Sequence, residues 1–270
     1  MSNTTKPILR PYDRDALRAR FTSAEPFPHM MIDGFLEPEF ARQVADSYPS
    51  FEAAAKDGRV FRTVNEKLKL RMPDSKKFPE PVRLLHEALA SPAFLADLEH
   101  ITGIQNLLAD PALDGGGIHM TGPGGRLDVH VDFNIHETTG WHRRLNILVY
   151  LNEGWQPSWG GEVELWDAEV KRCWHSFSPV MNRCVLFNTH ESSYHGVQPL
   201  KAPPGIVRKS FAAYYYTKEP PLGWDGKSHS TVFRARPTEK AKGWLWMPLE
   251  KALTTLREQW RSARRKLAGK

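Results

Sequence analysis

The spacing of apolar residues changes part-way along this chain. Up to about residue 110 they recur mainly at helical intervals, and beyond Gly115-Gly116-Gly117 they alternate with polar residues. In the first part, Phe27-Pro28-His29-Met30-Met31-Ile32-Asp33-Gly34-Phe35-Leu36 predicts a short strand turning into a helix, with Pro38 near that helix's first turn. Phe40, Val44 and Tyr48 then share one helical face. A second helix is predicted over 80–91, with Val82, Leu85 and Leu89 inward. A third follows the capping pair Ser91-Pro92, carries Phe94, Leu95, Leu98 and Ile101, and stops at Gly103.

The second part reads as strands. Ile118-His119-Met120, Asp128–Phe133, Leu145–Leu151, Glu162–Trp166, Val170–Phe177, Arg183–Phe187, Ser193–Val197 and Lys209–Thr217 are short runs bounded by Gly, Pro, Asn or Asp. Gly122, Gly124 and Gly125 predict a turn between the first two. So many short strands without intervening helices argue for a sandwich or barrel. A last helix is predicted over 248–267, with Leu253, Leu256, Trp260 and Leu267 as its apolar stripe. No repeat or low-complexity linker divides the chain. The expectation is a single domain over 1–270: a helical support region (1–110), a β core (111–217) and a C-terminal extension (218–270).

Composition narrows this only slightly. The chain has 270 residues, 40% hydrophobic and 25% charged, as expected of a soluble globular protein. No apolar run is long enough to span a membrane, and the N-terminal segment lacks the apolar centre of a signal peptide. Two cysteines cannot build a disulfide framework, so the expected compartment is the cytoplasm. Cys173 and Cys184 read as ordinary buried thiols across a hairpin turned at Pro179-Val180-Met181-Asn182. Residues 251–270 account for the whole net charge of +6. A nucleic-acid partner is therefore not expected, because the body of the chain is electrically balanced. The basic helix packs on the domain with its charges solvated, or meets an acidic partner or an anionic membrane surface.

Candidate chemistry centres on His130-Val131-Asp132 and His195. On a strand, residues i and i+2 share a face, so His130 and Asp132 can reach one ion while Val131 points away. Two imidazoles and a carboxylate form the facial triad of non-haem Fe(II), which leaves positions open for substrate and oxygen. His190 is a rival third ligand, but it sits in a loop-like stretch whereas His195 reads as strand. His136, His142, His175 and His229 lie in polar surroundings and read as surface or rim residues. Zinc accepts the same ligand types.

An anion site argues for iron. Arg208, Ser210 and Ala212 share one face of a strand, and an inward Arg beside a hydroxyl matches a carboxylate's fork. Asn146, Leu148 and Tyr150 share a face of another strand, so an amide and a phenol could complete the clamp. Trp141, His142, Arg143 and Arg144 read as a rim loop, where either arginine is a solvated charge or an anchor for an acidic substrate. Trp155 and Trp159 read as packing residues.

The stretches LDVHVDFN, RRLNILVYLNEGWQPSWGGEVELWD, SYHGVQPL and RKSFAAYYYT together resemble the Fe(II)/2-oxoglutarate-dependent oxygenases of the prolyl 4-hydroxylase-like group. FPHMMIDGFLEPEF resembles that group's entry to the domain. The resemblance implies a double-stranded β-helix (jelly roll) core, with His130, Asp132 and His195 on iron. It implies Arg208 and Tyr150 on the distal carboxylate of 2-oxoglutarate, Ser210 as a second donor there, and His119 near the cosubstrate's other end. The implied cofactors are Fe(II), 2-oxoglutarate and O2, with ascorbate as a candidate reductant. Oxidative decarboxylation would give succinate, carbon dioxide and an oxidant for a substrate C–H bond. Asp132 favours hydroxylation, because a halogenating relative carries a small residue there. The substrate is expected to be a small metabolite or biosynthetic intermediate. The alternatives are a prolyl residue of a protein or peptide, and a jelly-roll metal-binding protein without redox turnover.

Overall fold

A computed structural model describes residues 7–239 and 242–247. The predicted helix over 248–267 lies outside the described residues. Helices come first and strands later. In chain order the elements are α1 (Arg14–Thr22), β1 (His29–Asp33), α2 (Pro38–Ser47), α3 (Phe51–Asp57), β2 (Arg59–Arg62), β3 (Glu66–Met72), α4 (Glu80–Leu89) and α5 (Pro92–Thr102). There follow β4 (Leu108–Ala109), β5 (Gly117–Val131), β6 (His142–Tyr150), β7 (Val163–Trp166), β8 (Cys173–Phe177), β9 (Arg183–Asn188), β10 (His195–Val197), β11 (Arg208–Thr217) and β12 (Val232–Arg234).

Local signals explain the helix ends. Pro38 and Pro92 occupy first-turn positions, where a missing N–H costs nothing. The Ser91 hydroxyl accepts from the Phe94 amide at 3.2 Å, and Gly103 closes α5 in the left-handed conformation. Two short helices and a hairpin escaped the sequence reading. α1 offers only Leu17 and Phe21 as buried positions. The β2–β3 hairpin does carry a signal, the alternation Leu68-Leu70-Met72.

The strands form one curled antiparallel sheet in the order β1-β9-β6-β11-β5-β10-β7-β8, with β2–β3, β4 and β12 attached at its margins. It is a jelly roll. β5 makes the corner: its start pairs with β11 and β3, while its end pairs with β10 and β12. The turn predicted at Gly122-Gly124-Gly125 is instead a kink within this one 15-residue strand. Gly124 takes a φ of +77°, and a Cβ on Gly125 would lie 2.7 Å from the Gly122 carbonyl oxygen. The glycines therefore bend the strand from one layer to the other without ending it.

Period-two alternation then sorts the side chains. One face of β5, β6 and β11 presents Ile118, Met120, Leu145, Ile147, Val149, Phe211 and Tyr215 to a core shared with α1, α2, α4 and α5. The opposite face looks into the roll, where Tyr150, Val185 and Phe187 pack against Val163, Leu165 and Phe27. Across the seam the rings of His29 on β1 and His175 on β8 lie 4.6 Å apart. Cys173 and Cys184 do not face each other across a hairpin: β8 pairs with β7, and β9 with β1 and β6. Both thiols are free, Cys184 buried and Cys173 half-buried. Trp155 packs with Leu200 and Ala202.

Candidate active site

His130 on β5 and His195 on β10 are directly opposite each other in the ladder, and Asp132 follows one residue beyond the end of β5. The two imidazole rings are 4.3 Å apart. Asp132 Oδ1 lies 3.5 Å from His130 Nε2, and Oδ2 lies 3.3 Å from His195 Nε2. One potential ligand atom from each of the three residues falls within 4.8 Å of the others. The spacing suits one small cation.

Each histidine is oriented by its own strand. His130 Nδ1 donates to the Asp128 carbonyl at 2.8 Å, and His195 Nδ1 donates to the Ser193 carbonyl at 2.9 Å. A carbonyl only accepts, so the proton sits on Nδ1 and the Nε2 lone pair faces Asp132. Burial, and then the neighbouring His195, hold His130 below its usual titration range, which favours the neutral ligand form. Burial pushes the Asp132 carboxyl up, but Arg143 and the two histidines outweigh it and keep the group well below the usual carboxylate range. Phe187 stands 4.7 Å from the His195 ring and Phe233 stands 5.4 Å from that of His130. These rings shield the cluster from water.

Arg143 and Asn146 stand elsewhere than the sequence suggested. Arg143 is not on a rim loop: it is buried in β6, its guanidinium 3.6 Å from the Tyr214 ring centre and 4.7 Å from that of Phe133. From there its Nη2 reaches Asp132 Oδ2 at 3.1 Å. Asn146 does not join the anion clamp. Its Nδ2 donates to Asp132 Oδ2 at 2.8 Å, and its Oδ1 accepts from Arg143 Nε and Nη2 at 3.0 and 2.8 Å. It shares a face with Tyr150 but lies four residues away, about 13 Å along a strand rising ~3.3 Å per residue. Arg144 donates to Thr217 Oγ1 at 3.1 Å.

The other predicted anion-site residues do come together. Ser210 is paired with Tyr150 on one side and His119 on the other, and Arg208 begins the same strand. Arg208 is 4% exposed; its Nε donates to the Gly161 carbonyl at 2.7 Å, and its guanidinium lies 4.9 Å from the Tyr150 ring centre. Its Nη1 is 3.4 Å from Ser210 Oγ. Among the described residues, no ion pair joins a carboxylate to Arg208. Tyr150 Oη is buried without a hydrogen-bond partner. Burial pushes this phenol up to about 12 despite the nearby guanidinium. Glu162 acts on Arg208 only from a distance and the Tyr150 hydroxyl makes no well-formed bond, so an external anion would complete the pair. His119 is buried in the same row and held well below its usual range, first by burial and then by Lys69. Its Nε2 bonds the Gly115 carbonyl at 2.8 Å.

His136 and His142 are buried, not surface residues. His136 Nδ1 accepts from the Thr138 and Thr139 amides, and the His142 ring meets Trp224 at 4.6 Å. The segment 224–236 also brings Phe233, which the sequence reading did not single out, against His130, and sets His229, read there as a surface or rim residue, against Glu191. β12 is three residues long, with no periodicity to announce it.

Residues 116–216 match the model of a family described as the 2OG-Fe(II) oxygenase superfamily. That stretch runs from β5 into β11, and it is similar to the superfamily's oxygenase core. The match supports a 2-oxoglutarate-dependent dioxygenase, and it implies Fe(II) as cofactor and 2-oxoglutarate as cosubstrate. No curated protein sequence matches the chain. Solved structures match its fold. A prolyl-4-hydroxylase from Pseudomonas putida is 20% identical with a TM-score of 0.52, covering 74% of this chain and 98% of its own. A prolyl hydroxylase from Trichoplax adhaerens, in complex with a hypoxia inducible factor peptide fragment, is 15% identical with a TM-score of 0.55, covering 75% and 90%. SnoN, an alpha ketoglutarate dependent epimerase from nogalamycin biosynthesis, is 13% identical with a TM-score of 0.51, covering 83% and 96%. Among the described residues no helix is long and apolar enough to cross a membrane.

Proposed function

We propose that this oxygenase hydroxylates an unactivated C–H bond of a small metabolite or biosynthetic intermediate. In this reading His130, Asp132 and His195 hold Fe(II), while Arg208, Tyr150 and Ser210 hold the distal carboxylate of 2-oxoglutarate. The observation that carries it is the pairing of the unpartnered Tyr150 hydroxyl with the buried Arg208, on the sheet that also bears the His-Asp-His cluster. That donor set fits a non-haem iron with a dicarboxylate cosubstrate better than a structural zinc, whose ligand shell is closed.

When bound, iron with 2-oxoglutarate and oxygen supplies the oxidising power and releases succinate and carbon dioxide. The chain's share is placement. The two Nδ1–carbonyl bonds aim the imidazoles, Arg143 and Asn146 fix the carboxylate, and Phe187 and Phe233 keep water from the ring faces. Trp224 against His142, His229 on Asn134 and Phe233 against His130 bring the C-terminal segment up to the cluster, which favours a compact substrate over an extended peptide.

Anaerobic Fe(II) with 2-oxoglutarate should give a weak visible charge-transfer band that Asp132→Ala abolishes. Arg208→Ala should weaken 2-oxoglutarate binding by about a hundredfold, as expected for the loss of a buried charged partner. Tyr150→Phe should weaken it by about tenfold without lowering stability in the cosubstrate's absence, since it removes a hydroxyl that has no partner. A wild-type protein with no band, and no succinate formed in air, would overturn the reading. Hydroxylation of a peptidyl proline, with no small-molecule substrate, would replace the substrate class.

A further inference from the structure

The β2–β3 hairpin gathers like charges on one face. Arg59 and Phe61 on β2 stand directly opposite Arg71 and Lys69 on β3. All three cations crowd one aromatic ring. The Arg59 and Arg71 guanidiniums lie 4.5 and 5.8 Å from the Phe61 ring centre, and Lys69 Nζ lies 5.4 Å from it. Like charges directly opposite on paired strands repel, and the ring's negative face offsets only part of that cost. Carboxylates answer Lys69 but not the two arginines. Lys69 Nζ pairs with Glu66 at 2.9 Å. Arg71 Nη1 lies 3.9 Å from Asp114, too far for a hydrogen bond, and Arg71 Nε is buried without a partner. Arg59 is exposed, and among the described residues no carboxylate pairs with it.

The strand ladder ties this cluster to the candidate active site. Leu70 and Met72 pack into the helical core, so Lys69 and Arg71 project from the other face of β3, the one that looks into the roll. Arg71 is paired with His119 and Lys69 with Thr121 on β5, and beyond them on β11 stand Ser210 and Arg208. Burial, and then Lys69, Arg71 and Arg208, hold the His119 imidazole below its usual range. Contacts also lead from Arg71 toward the metal ligands. A Cβ placed on Gly115 would lie 3.7 Å from Arg71 Nη1 and 2.8 Å from the Tyr214 ring. That ring packs on Arg143, whose guanidinium reaches Asp132.

An oxyanion bridging Arg59 and Arg71 would relieve their repulsion, and a guanidinium fork matches phosphate and carboxylate oxygens alike. Charge decides between the two. A pair of guanidiniums without hydrogen-bonded carboxylates, with an ammonium beside them, is balanced by a dianion. A phosphate monoester supplies nearly two negative charges and three acceptor oxygens in one group, whereas a carboxylate supplies one charge and two oxygens. We propose that Arg59 and Arg71 bind a phosphate group of the substrate, which makes that substrate a small phosphate monoester. This rests on the oxygenase function proposed above and names its substrate class. Held by its phosphate at the hairpin, the substrate would extend its carbon skeleton past Tyr214 toward the His-Asp-His cluster.

The test titrates phenyl phosphate into the full chain by calorimetry, with Zn(II) and saturating 2-oxoglutarate present, at about pH 8. Phenyl sulfate and benzoate, each with one charge, serve as comparison. Phenyl phosphate should bind about tenfold more tightly than either. Arg59→Gln and Arg71→Gln should each weaken it by about tenfold, and Arg59→Lys, which keeps the charge without the fork, should lose less. Lys171→Gln, an exposed cation outside the hairpin, should change nothing. With Fe(II) in air, a small-molecule cell extract should stimulate succinate release, and phosphatase treatment of the extract should abolish the stimulation. Equal binding of the three probes, an Arg59→Gln variant that binds as tightly as wild type, or stimulation that survives phosphatase would overturn the proposal. Should Arg71→Gln fail to fold, Arg59→Gln still decides, because Arg59 is exposed. The Fe(II)–2-oxoglutarate band separates the two failures. With the band intact, missing phosphate binding rejects the anchor alone; without the band, the cofactor assignment itself fails.

Discussion

Asn146 Nδ2 donates to Asp132 Oδ2 at 2.8 Å, while Asn146 Oδ1 accepts two bonds from Arg143. The amide therefore couples a buried guanidinium to a carboxylate that both histidines also face. With Oδ2 occupied in this way, Oδ1 is the oxygen better placed to bind a metal. Asn146→Ala removes one donor from Asp132 and leaves Arg143 without its amide acceptor. Groups that orient a metal ligand typically contribute tenfold or more to metal affinity. We expect Asn146→Ala to weaken Mn(II) binding by about tenfold, measured from the electron paramagnetic resonance signal of free Mn(II). Unchanged Mn(II) affinity would show that Arg143 alone suffices to hold the carboxylate.

How far such a relationship can be read from a sequence depends on the distance involved. The i, i+2 rule put His130 with Asp132 and Arg208 with Ser210, because strand alternation is local and strict. The same rule put Asn146 on the face of Tyr150 but says nothing of position along the strand. Arg143 was obscured for another reason. Within the polar run Trp141-His142-Arg143-Arg144 a buried cation looks like a solvated loop, and only Asp132 and Tyr214, both distant in sequence, reveal its burial. Glycines at 122, 124 and 125 signalled a change of direction but not whether the strand would end. The C-terminal segment was illegible because it is held by charge pairs and single rings, not by a repeating apolar pattern.

Buried neutral histidines set the acid limb of stability. Burial lowers the pKa of His119, and also those of His29 and His86. In the unfolded chain each returns to about 6.5. The unfolded state therefore binds more protons as pH drops below that value. Stability is complete above pH ~6.5 and declines below it, by up to about 1.4 kcal/mol per pH unit for each histidine that stays neutral when folded. Urea midpoints between pH 8 and pH 5 should fall on the acid side. His119→Gln, which keeps a donor for the Gly115 carbonyl, should flatten that decline. A midpoint that rises on acidification would contradict the assignment.

The C-terminal segment is fastened by charges behind the His-Asp-His cluster. Lys242 Nζ lies 2.6 Å from Asp128, whose side chain is fully buried and whose carbonyl orients His130. Arg236 reaches Glu164 Oε2 at 2.7 Å, and its Nη2 donates to the Val197 carbonyl on β10 at 3.2 Å. Removing one partner of a buried pair strands the other charge, whereas removing both is often nearly neutral. Arg126 Nε and Arg236 Nη1 also lie 3.4 and 3.6 Å from Asp128 Oδ1, so Lys242→Met weakens that carboxylate's pairing without stranding it. The substitution should cost about 1 kcal/mol in urea denaturation, and adding Asp128→Asn should recover part of it. Because His130 leans on the same residue's carbonyl, Lys242→Met should also weaken Mn(II) binding, and the double variant should restore it. If the double variant is as unstable as the single one, Lys242 acts through packing and not through Asp128.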